Sequence, residues 1–381
     1  MKITGMQVIP IVIPYKHVER SSIVNRSGVS DVIIKLTTDD GLVGWGEACM
    51  NCDTATTVAS VEAARPFVIG RDPWDTEAIY NDYFMFGGWQ WQAMTGNFAF
   101  AGIDMALWDL CGKQAGQPIH RLFGGACNRE IDYFYFLTWD GEDKIRTQCQ
   151  DGVSKGFTTF YVKAGKDVAT ELRMLQIVRD AIGPDKKLRV DPNQAWSFPE
   201  ALKIVTQMND SCNIDFVEAP IDFARQNNMR EFSQRSGVPV CANEGTWTEA
   251  DAARIIRDRS ADYLCFSSYF VGSLRRWQTL CYMAALSDIQ VHKHTHGEFG
   301  IAAAAAHHIL LTLPNVTTGN QQTAYNMEAD ILTEEIPIAS GPTWGIIDKP
   351  GLGYEVDEDI LFKYHELYLK NGDFKPYGDQ F

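Results

Sequence analysis

Three acidic side chains follow short apolar runs at nearly equal spacing. Asp191 ends such a run in VDPNQAW, Glu218 ends one in IDFVEAP, and Glu244 follows one in VPVCANEG. The intervals are 218 − 191 = 27 and 244 − 218 = 26 residues. Three carboxylates held close together raise one another's pKa, and a hard divalent cation removes that repulsion. The pattern predicts an all-oxygen Mg²⁺ site; the alternative is that each acid is a helix N-cap or a solvated loop residue.

Other residues near these acids could move protons. Lys163 ends the run TTFYVKAG two residues after Tyr161, so both side chains are expected on the same side of a strand. A lysine in a semi-buried site beside a divalent cation has its ammonium form disfavoured, so it can act as a base near neutral pH. The segment VHKHTHGEFGI contains His292, His294 and His296. We expect one of these histidines to take part in catalysis, and His294 is the candidate.

The elements that must position these residues form a regular series from about residue 130. A repeat of strand plus helix predicts parallel strands with right-handed crossovers, which close into a (β/α) barrel. Active sites of such barrels lie at the C-terminal ends of the strands, where all three acids are expected. An open doubly wound sheet is the alternative, but it would want a glycine-rich first turn, which we do not find. The predicted strands are Ile131–Phe136, Thr159–Lys163, Leu188–Asp191, Ile214–Glu218, Val238–Ala242, Tyr263–Phe266 and Ile289–His292.

The first 120 residues show strands followed by helices, an α+β order. The strands are predicted at Thr4–Ile13, Val32–Thr37 and Leu42–Ala48, and Asp39-Asp40-Gly41 predicts a hairpin between the last two. The helices are predicted at about residues 54–68, 75–84 and 97–115. A segment from residue 15 to 30 is expected to be a loop that closes over the pocket; for each candidate contact residue in it, a solvated polar loop is an equal alternative.

Composition narrows the classes of partner. The chain has 381 residues with 45% hydrophobic residues, enough for two domains or one large barrel. The formal net charge of −15 argues against nucleic acid and anionic membranes. A small-molecule carboxylate substrate remains compatible, because a metal or local cations reverse the sign inside a pocket. We also expect a homo-oligomer.

The cysteines and the N-terminus indicate a cytoplasmic protein. Nine cysteines, an odd number scattered through the chain, suit a reducing compartment, and the N-terminal segment lacks the pattern of a signal peptide. Cys49 and Cys52 form a single CxxC, for which small buried thiols are a better interpretation than a redox or zinc role. His307 and His308 on an alanine-rich helix are interpreted as packing residues.

Several phrases resemble the enolase superfamily, and within it the mandelate racemase subgroup. They are the three acid-bearing runs, GIDMALWDLCGKQAGQPIHRLFGG (Gly102–Gly125) and DKPGLGYEVD, and the resemblance covers about residues 3 to 365. It implies an N-terminal α+β capping domain (1–125), a TIM-like (β/α)₇β barrel (126–345) and a C-terminal segment (346–381) that packs back on the capping domain. The implied chemistry is abstraction of a proton α to a carboxylate, with Mg²⁺ stabilising the enediolate.

The resemblance also implies roles by position. It assigns the metal to Asp191, Glu218 and Glu244, proton abstraction to Lys163, and a second acid/base role to His294. Asn193 is similar to a substrate contact of the subgroup, and Glu328 to the acid that hydrogen-bonds the enediolate. The cap residues His17, Arg20 and Arg26 are candidates for substrate contacts, and Trp89 and Trp91 line either the pocket or the domain interface.

Two departures from the family pattern affect the expected reaction. The family's Lys-x-Lys motif is here Tyr161-x-Lys163, so Tyr161 could hydrogen-bond the lysine or act as an acid/base itself. The sixth-strand aspartate that pairs with the histidine is replaced by Ser267, which makes His294 less basic and better suited to acid work. Both departures weaken a racemase assignment, which needs matched bases on two faces.

The sequence therefore favours a Mg²⁺-dependent lyase, a dehydratase of an aldonic or aldaric acid that forms a 2-keto-3-deoxy acid. Lys163 would remove the α-proton and His294 would protonate the leaving β-hydroxyl. An epimerase, racemase or lactone cycloisomerase on the same scaffold is the alternative. A non-catalytic sugar-acid binder is a third possibility.

Overall fold

The computed structural model describes residues 1–20, 25–50, 53–91, 94–222 and 226–374, with the side chains of 87–91 and 226–227 excepted. The chain begins with a three-stranded antiparallel sheet in the order β1-β2-β3, formed by β1 (Ile3–Arg20), β2 (Asn25–Thr38) and β3 (Val43–Cys49). The predicted turn joins β2 to β3, and Gly41 has φ +87°, a conformation that glycine adopts without steric cost.

The prediction of a loop over residues 15–30 is wrong for the described part of that segment. β1 and β2 continue through it as a hairpin arm, with Glu19 paired to Arg26 and a register shift between Pro14 and Glu19. β1 is an edge strand, so Pro10 and Pro14 remove no hydrogen bond from a strand on its other side. The cap therefore reaches the barrel as a paired ribbon.

The helices in the described part of the cap are α1 (Thr54–Ala63), α2 (Arg65–Val68), α3 (Thr76–Trp91), α4 (Thr95–Ala115) and α5 (Ile119–Leu122). A proline in the first turn of α2 starts a new helix at the point where a single helix was predicted. α4 is buried along nearly its whole length, because it packs on β3 on one side and on the barrel on the other. The side chains of Trp89 and Trp91, like Cys52, lie outside the described residues.

The second region is a curled parallel sheet of seven strands in the order β11-β10-β9-β8-β7-β6-β5, as predicted. The strands are β5 (Tyr135–Leu137), β6 (Thr159–Lys163), β7 (Lys187–Asp191), β8 (Phe216–Glu218), β9 (Val240–Ala242), β10 (Tyr263–Phe266) and β11 (Gln290–Lys293). The helices between and after them are α6 (Glu142–Ser154), α7 (Val168–Ile182), α8 (Phe198–Cys212), α9 (Gln226–Ser236), α10 (Glu249–Asp258), α11 (Ser268–Val271), α12 (Leu274–Leu286) and α13 (Gly300–Thr312).

The sheet closes through a segment without a regular strand. Val316 bridges Val291 of β11, and Asn320 bridges Tyr133 just before β5, both in parallel. This segment occupies the eighth position of the barrel. The first predicted barrel strand is divided: β4 (Glu130–Asp132) pairs antiparallel with β12 (Thr343–Gly345), and only β5 joins the barrel.

The C-terminal helix α14 (Glu358–Asn371) packs against β1 of the cap. Its Glu358 lies 2.6 Å from the Lys35 ammonium, and His365 Nδ1 is 2.7 Å from the Pro10 carbonyl oxygen. Short 3₁₀ turns at Ala324–Asn326 and Pro337–Ala339 precede it. Among the described residues, no helix is both long enough and apolar enough to cross a membrane.

Candidate active site

The three predicted metal ligands lie on adjacent strands. Asp191 ends β7, Glu218 ends β8, and Glu244 follows β9 by two residues. The strands are in parallel register, with Val190 opposite Val217 and Glu218 opposite Cys241, and Asp191 and Glu218 are fully buried. Adjacent strands lie about 4.8 Å apart, so their ends bring these carboxylates to one mouth of the barrel.

Asn193 joins two of the acids. Its backbone N–H donates to Asp191 Oδ1 at 2.8 Å, and its side-chain amide lies 3.2 Å from Asp191 Oδ2 and 3.1 Å from Glu244 Oε1. Asn193 has φ +47°, a left-handed conformation that asparagine tolerates better than most residues. The turn after β7 therefore positions the amide between the carboxylates.

The electrostatics of the triad fit a divalent cation. Burial, followed by the negative charge of Asp191, raises the pKa of Glu218 well above its usual range and that of Glu244 to about 7. Within the described residues, Glu244 Oε2 and Asn193 Oδ1 are buried without a hydrogen-bond partner. Buried oxygens with raised pKa values and open acceptor capacity are what a Mg²⁺ ion would satisfy.

Tyr161 and Lys163 both contact Asp191. The Tyr161 hydroxyl donates to Asp191 Oδ2 at 2.5 Å, and the Lys163 ammonium lies 2.6 Å from the same oxygen. Burial lowers the pKa of Lys163, but the carboxylates of Asp191, Glu218 and Glu19 outweigh it and raise the pKa above the ordinary value. A cation on the triad would compete with Lys163 for Asp191 and so favour the neutral amine.

His294 lies close to Lys163 and has a tyrosine as partner. Burial, then the positive charges of His296 and Lys163, hold the pKa of His294 well below its usual range. Its Nδ1 is 2.5 Å from the Tyr269 hydroxyl, and its carbonyl accepts from Ser267 Oγ at 2.6 Å. Ser267 therefore contacts the backbone of His294 and not its imidazole ring. Tyr269 takes the position at the ring where the family has an aspartate, but a tyrosine supplies no negative charge.

A buried charged network fixes the segment that carries His294. Glu47 of the cap accepts hydrogen bonds from the N–H groups of Phe299 (2.7 Å) and Ala302 (2.9 Å) at the start of α13, and burial raises its pKa to about 8. Lys293 and Glu298, both buried, form an ion pair across the same segment. The cap thus holds the loop after β11 in place.

Two residues near the triad, Gln321 and Glu19, were not among the site residues predicted from the sequence. Gln321, in the segment that closes the barrel, points its amide at both oxygens of Glu218, at 3.2 and 3.1 Å. Glu19 on the cap arm is 8% exposed, its charge raises the pKa of Lys163, and its Oε2 has no hydrogen-bond partner among the described residues. For Gln321, its place at the end of the eighth strand position could have indicated a role in the site, whereas Glu19 has no comparable sequence feature.

The structure separates the remaining candidates. Arg26 reaches inward: its Nη1 donates to the His296 carbonyl at 2.7 Å and lies 3.5 Å from Glu19. The His17 side chain is exposed, and its backbone is bound by Asn326 instead. Glu328 is also exposed, and its N–H donates to Pro14 O. Burial, followed by the charge of Glu328, raises the pKa of Tyr364 in α14. Among the described contacts, none joins the side chain of His17 or Glu328 to the triad.

Arg20 lies beside the site, whereas the two histidines of α13 lie in the core. Arg20 lines a cavity together with Lys163, Lys166, Asp167 and Glu171, so charged groups of both signs adjoin the site. His307 and His308 are fully buried. Their ring nitrogens bond Tyr133, Gly345, His120 and Leu352, which are packing contacts.

Comparisons with known proteins agree with this architecture. Residues 8–124 match the mandelate racemase / muconate lactonizing enzyme N-terminal domain, and residues 144–360 match the family described as enolase C-terminal domain-like. These two matches cover most of the chain.

The similar characterised proteins catalyse different reactions. The N-succinyl-L-Arg/Lys racemase of Bacillus cereus is 25% identical over 95% of this chain and 97% of its own. The arabinonate dehydratase of Saccharolobus solfataricus is 26% identical, with 87% and 90% covered, and the D-galactarolactone cycloisomerase of Agrobacterium fabrum is 27% identical, also with 87% and 90% covered.

Solved structures share the fold throughout. An enolase from Streptomyces coelicolor, described as a putative sugar isomerase, superposes with a TM-score of 0.87 at 26% identity, covering 98% of this chain and 99% of that one. A dipeptide epimerase from Enterococcus faecalis, solved with Mg and a dipeptide, superposes with a TM-score of 0.86 at 23% identity, covering 93% and 100%. With its capping domain, its barrel and its three strand-end acids, this chain belongs to the mandelate racemase/muconate lactonizing enzyme subgroup of the enolase superfamily.

Proposed function

We propose that this protein is a Mg²⁺-dependent dehydratase that converts a sugar acid into a 2-keto-3-deoxy acid. The observation that carries the proposal is the unequal pair beside the triad: Lys163 can serve as a base, whereas His294 has a tyrosine and no carboxylate as its partner. Racemisation needs a competent base on each face, but dehydration needs one base and one acid. The unequal pair fits dehydration.

Asp191, Glu218 and Glu244 would hold the ion. Asn193 would orient Asp191 and Glu244, and Gln321 would orient Glu218. Mg²⁺ bound there supplies Lewis acidity that stabilises the negative charge left on the substrate carboxylate when the α-proton departs. The surrounding barrel buries Asp191 and Glu218 fully and Glu244 in part.

Lys163 would take the α-proton as a neutral amine and become an ammonium ion. That ion is stabilised at once, because Asp191 and Glu218 lie close enough to raise its pKa. Tyr161 donates a second hydrogen bond to the same Asp191 oxygen and so restrains it. Proton transfer therefore moves positive charge to a position already lined by carboxylates.

His294 would donate a proton to the departing β-hydroxyl, which leaves as water. At rest its imidazole is neutral, because burial and neighbouring cations lower its pKa. An anionic substrate adds negative charge beside the ring and raises that pKa, so binding favours the acid form. In the acid form both ring nitrogens carry protons, so Nδ1–H would donate to the Tyr269 hydroxyl and the proton that reacts would be the one on Nε2.

Epimerisation is the second candidate, favoured by the racemase and the dipeptide epimerase among the similar proteins. A library of aldonic and aldaric acids, incubated with enzyme and Mg²⁺ in D₂O, separates the two reactions. Keto-acid formation is expected for at least one acid. Deuterium at carbon 2 without keto acid, for every acid that reacts, would favour epimerisation and contradict the proposal.

The base can be tested separately. Lys163→Ala is expected to abolish both keto-acid formation and α-proton exchange, while calorimetry still detects Mg²⁺ binding to the intact triad. The matched control is Lys166→Ala, since Lys166 lines the same cavity but makes no described contact with Asp191 through its side chain. Near-normal turnover by Lys163→Ala would move the base to Tyr161 or His294.

A further inference from the structure

A second group of metal-binding side chains lies one layer deeper in the barrel than the mouth. Cys241 of β9, His292 of β11 and Glu218 of β8 each place a ligand atom within 4.8 Å of the other two. Cys241 and His292 precede Glu244 and His294 along their strands, so they lie further from the C-terminal ends. All three residues are at most 1% exposed.

The distances suit a tetrahedral ion. Cys241 Sγ lies 3.2 Å from His292 Nε2, and the same nitrogen lies 4.0 Å from Glu218 Oε2. With Zn–S of about 2.3 Å and Zn–N of about 2.1 Å, two tetrahedral ligands are separated by roughly 3.5 Å. Small side-chain shifts would therefore bring all three atoms into coordination distance.

The chemistry of this group differs from that of the triad. Thiolate and imidazole select borderline and soft ions, whereas three carboxylates select hard ions. Among the described residues, the His292 ring has a hydrogen bond only with the Cys241 thiol, which is a weak donor, and its Nδ1 has no partner. Cys265 on the adjacent strand adds a second thiol, whose Sγ accepts from Gln321 at 3.1 Å.

We propose that Cys241, His292 and Glu218 form a second metal site that takes a thiophilic divalent ion, Zn²⁺ or Cd²⁺. On binding, the Cys241 thiol loses its proton to solvent as the sulfur–metal bond forms. Glu218 belongs to both sites, so a soft ion draws it away from the triad. Zn²⁺ and Cd²⁺ therefore weaken Mg²⁺ binding without occupying the Mg²⁺ position.

The test is a Cd²⁺ titration of the full-length, metal-free protein, followed by the ultraviolet charge-transfer absorption of the Cd²⁺–thiolate bond. We expect saturation at one ion per chain. Cys241→Ser should weaken binding by more than about 100-fold, because loss of a ligand exceeds the 10–100-fold effect of outer contacts. Glu244→Gln should keep the band, since it removes a triad oxygen only.

The matched control is Cys49→Ser, because Cys49 forms a comparable buried group with Asp31 and Glu47 in the cap. This variant should retain the band. Absence of the band in the wild-type protein, its persistence in Cys241→Ser, or its loss in Cys49→Ser would overturn the proposal. If Cys241→Ser does not fold, anomalous diffraction from crystals soaked in Cd²⁺ decides: the site requires a peak between Cys241 Sγ and His292 Nε2, and a peak confined to the triad contradicts it.

Discussion

Mg²⁺ binding to the ligand-free protein should depend on pH through Glu244. The pKa of this carboxyl is raised to about 7, whereas the ordinary value is 4.5. The ionised fraction is then about 0.9 at pH 8 and about 0.1 at pH 6, from the titration of a single group. Because only the carboxylate binds the ion, Glu244 alone should raise the apparent Kd for Mg²⁺ about tenfold from pH 8 to pH 6, or about 1.4 kcal/mol. Glu218, whose pKa is also raised, can only add to this change.

The same shift affects stability with a definite sign. Between its unfolded value of 4.5 and its folded value of about 7, Glu244 carries a proton in the folded state that the unfolded state has lost. The contribution of this group to stability is therefore lost as the pH rises through that window. Mg²⁺ neutralises the Glu244 carboxylate as the proton does at lower pH. The increase in thermal midpoint caused by Mg²⁺ should therefore be larger at pH 8 than at pH 6.

Isothermal titration calorimetry in two buffers of different ionisation enthalpy measures both the affinity and the protons released. Release of protons near pH 6.5 and the tenfold change in Kd are expected. The control is Glu244→Gln, which should bind Mg²⁺ more weakly and lose part of the pH dependence. A Kd that is the same at pH 6 and pH 8, with no proton release, would refute the electrostatic reasoning about the triad.

Three further substitutions separate the roles of neighbouring residues. His294→Asn should lower keto-acid formation by more than about 100-fold, the usual loss for a general acid, yet retain α-proton exchange in D₂O; equal loss of both would place His294 in proton abstraction. Tyr161→Phe should weaken Mg²⁺ binding by about 10-fold or more in calorimetry, because Asp191 loses a donor, and unchanged affinity would contradict that role. Glu47→Ala should lower the free energy of unfolding by on the order of 3 kcal/mol in urea titrations, because two buried N–H groups lose their acceptor; a change under about 0.5 kcal/mol would contradict this account.

The barrel could be predicted because its strands are short apolar runs at a regular interval, and chemistry-bearing residues end those runs. The runs ending at Lys163, Asp191 and Glu218 end as strands at the same residues in the structure. The proximity of the acids followed from strand adjacency alone. That inference needed no side-chain detail.

The eighth strand position escaped prediction because NVTTGNQQT has no apolar run. Val316 and Asn320 join the barrel through single bridges. Because the segment forms no regular strand, it carries no strand-like alternation of apolar and polar residues. Gln321, at the end of this segment, reaches Glu218. Glu328, which the resemblance favoured, lies seven residues later at the exposed surface.

The cap contacts could not be predicted for a different reason. Glu19 and Arg26 are paired across β1 and β2, and their approach to Lys163 and His296 depends on how the arm lies against the barrel. Long-range placement of this kind leaves no spacing pattern in one sequence. The partner of His294 is similarly hidden, because Tyr269 comes from the short helix α11 instead of a strand end.

The central claim is that three strand-end carboxylates hold one hard divalent ion. Diffraction from crystals grown with Mn²⁺, recorded at a wavelength with strong Mn anomalous signal, tests it most directly. We expect one strong peak within about 2.0–2.3 Å of an oxygen of each of Asp191, Glu218 and Glu244. No peak at that position in saturating Mn²⁺, or a peak that leaves any of the three carboxylates uncoordinated, would contradict it.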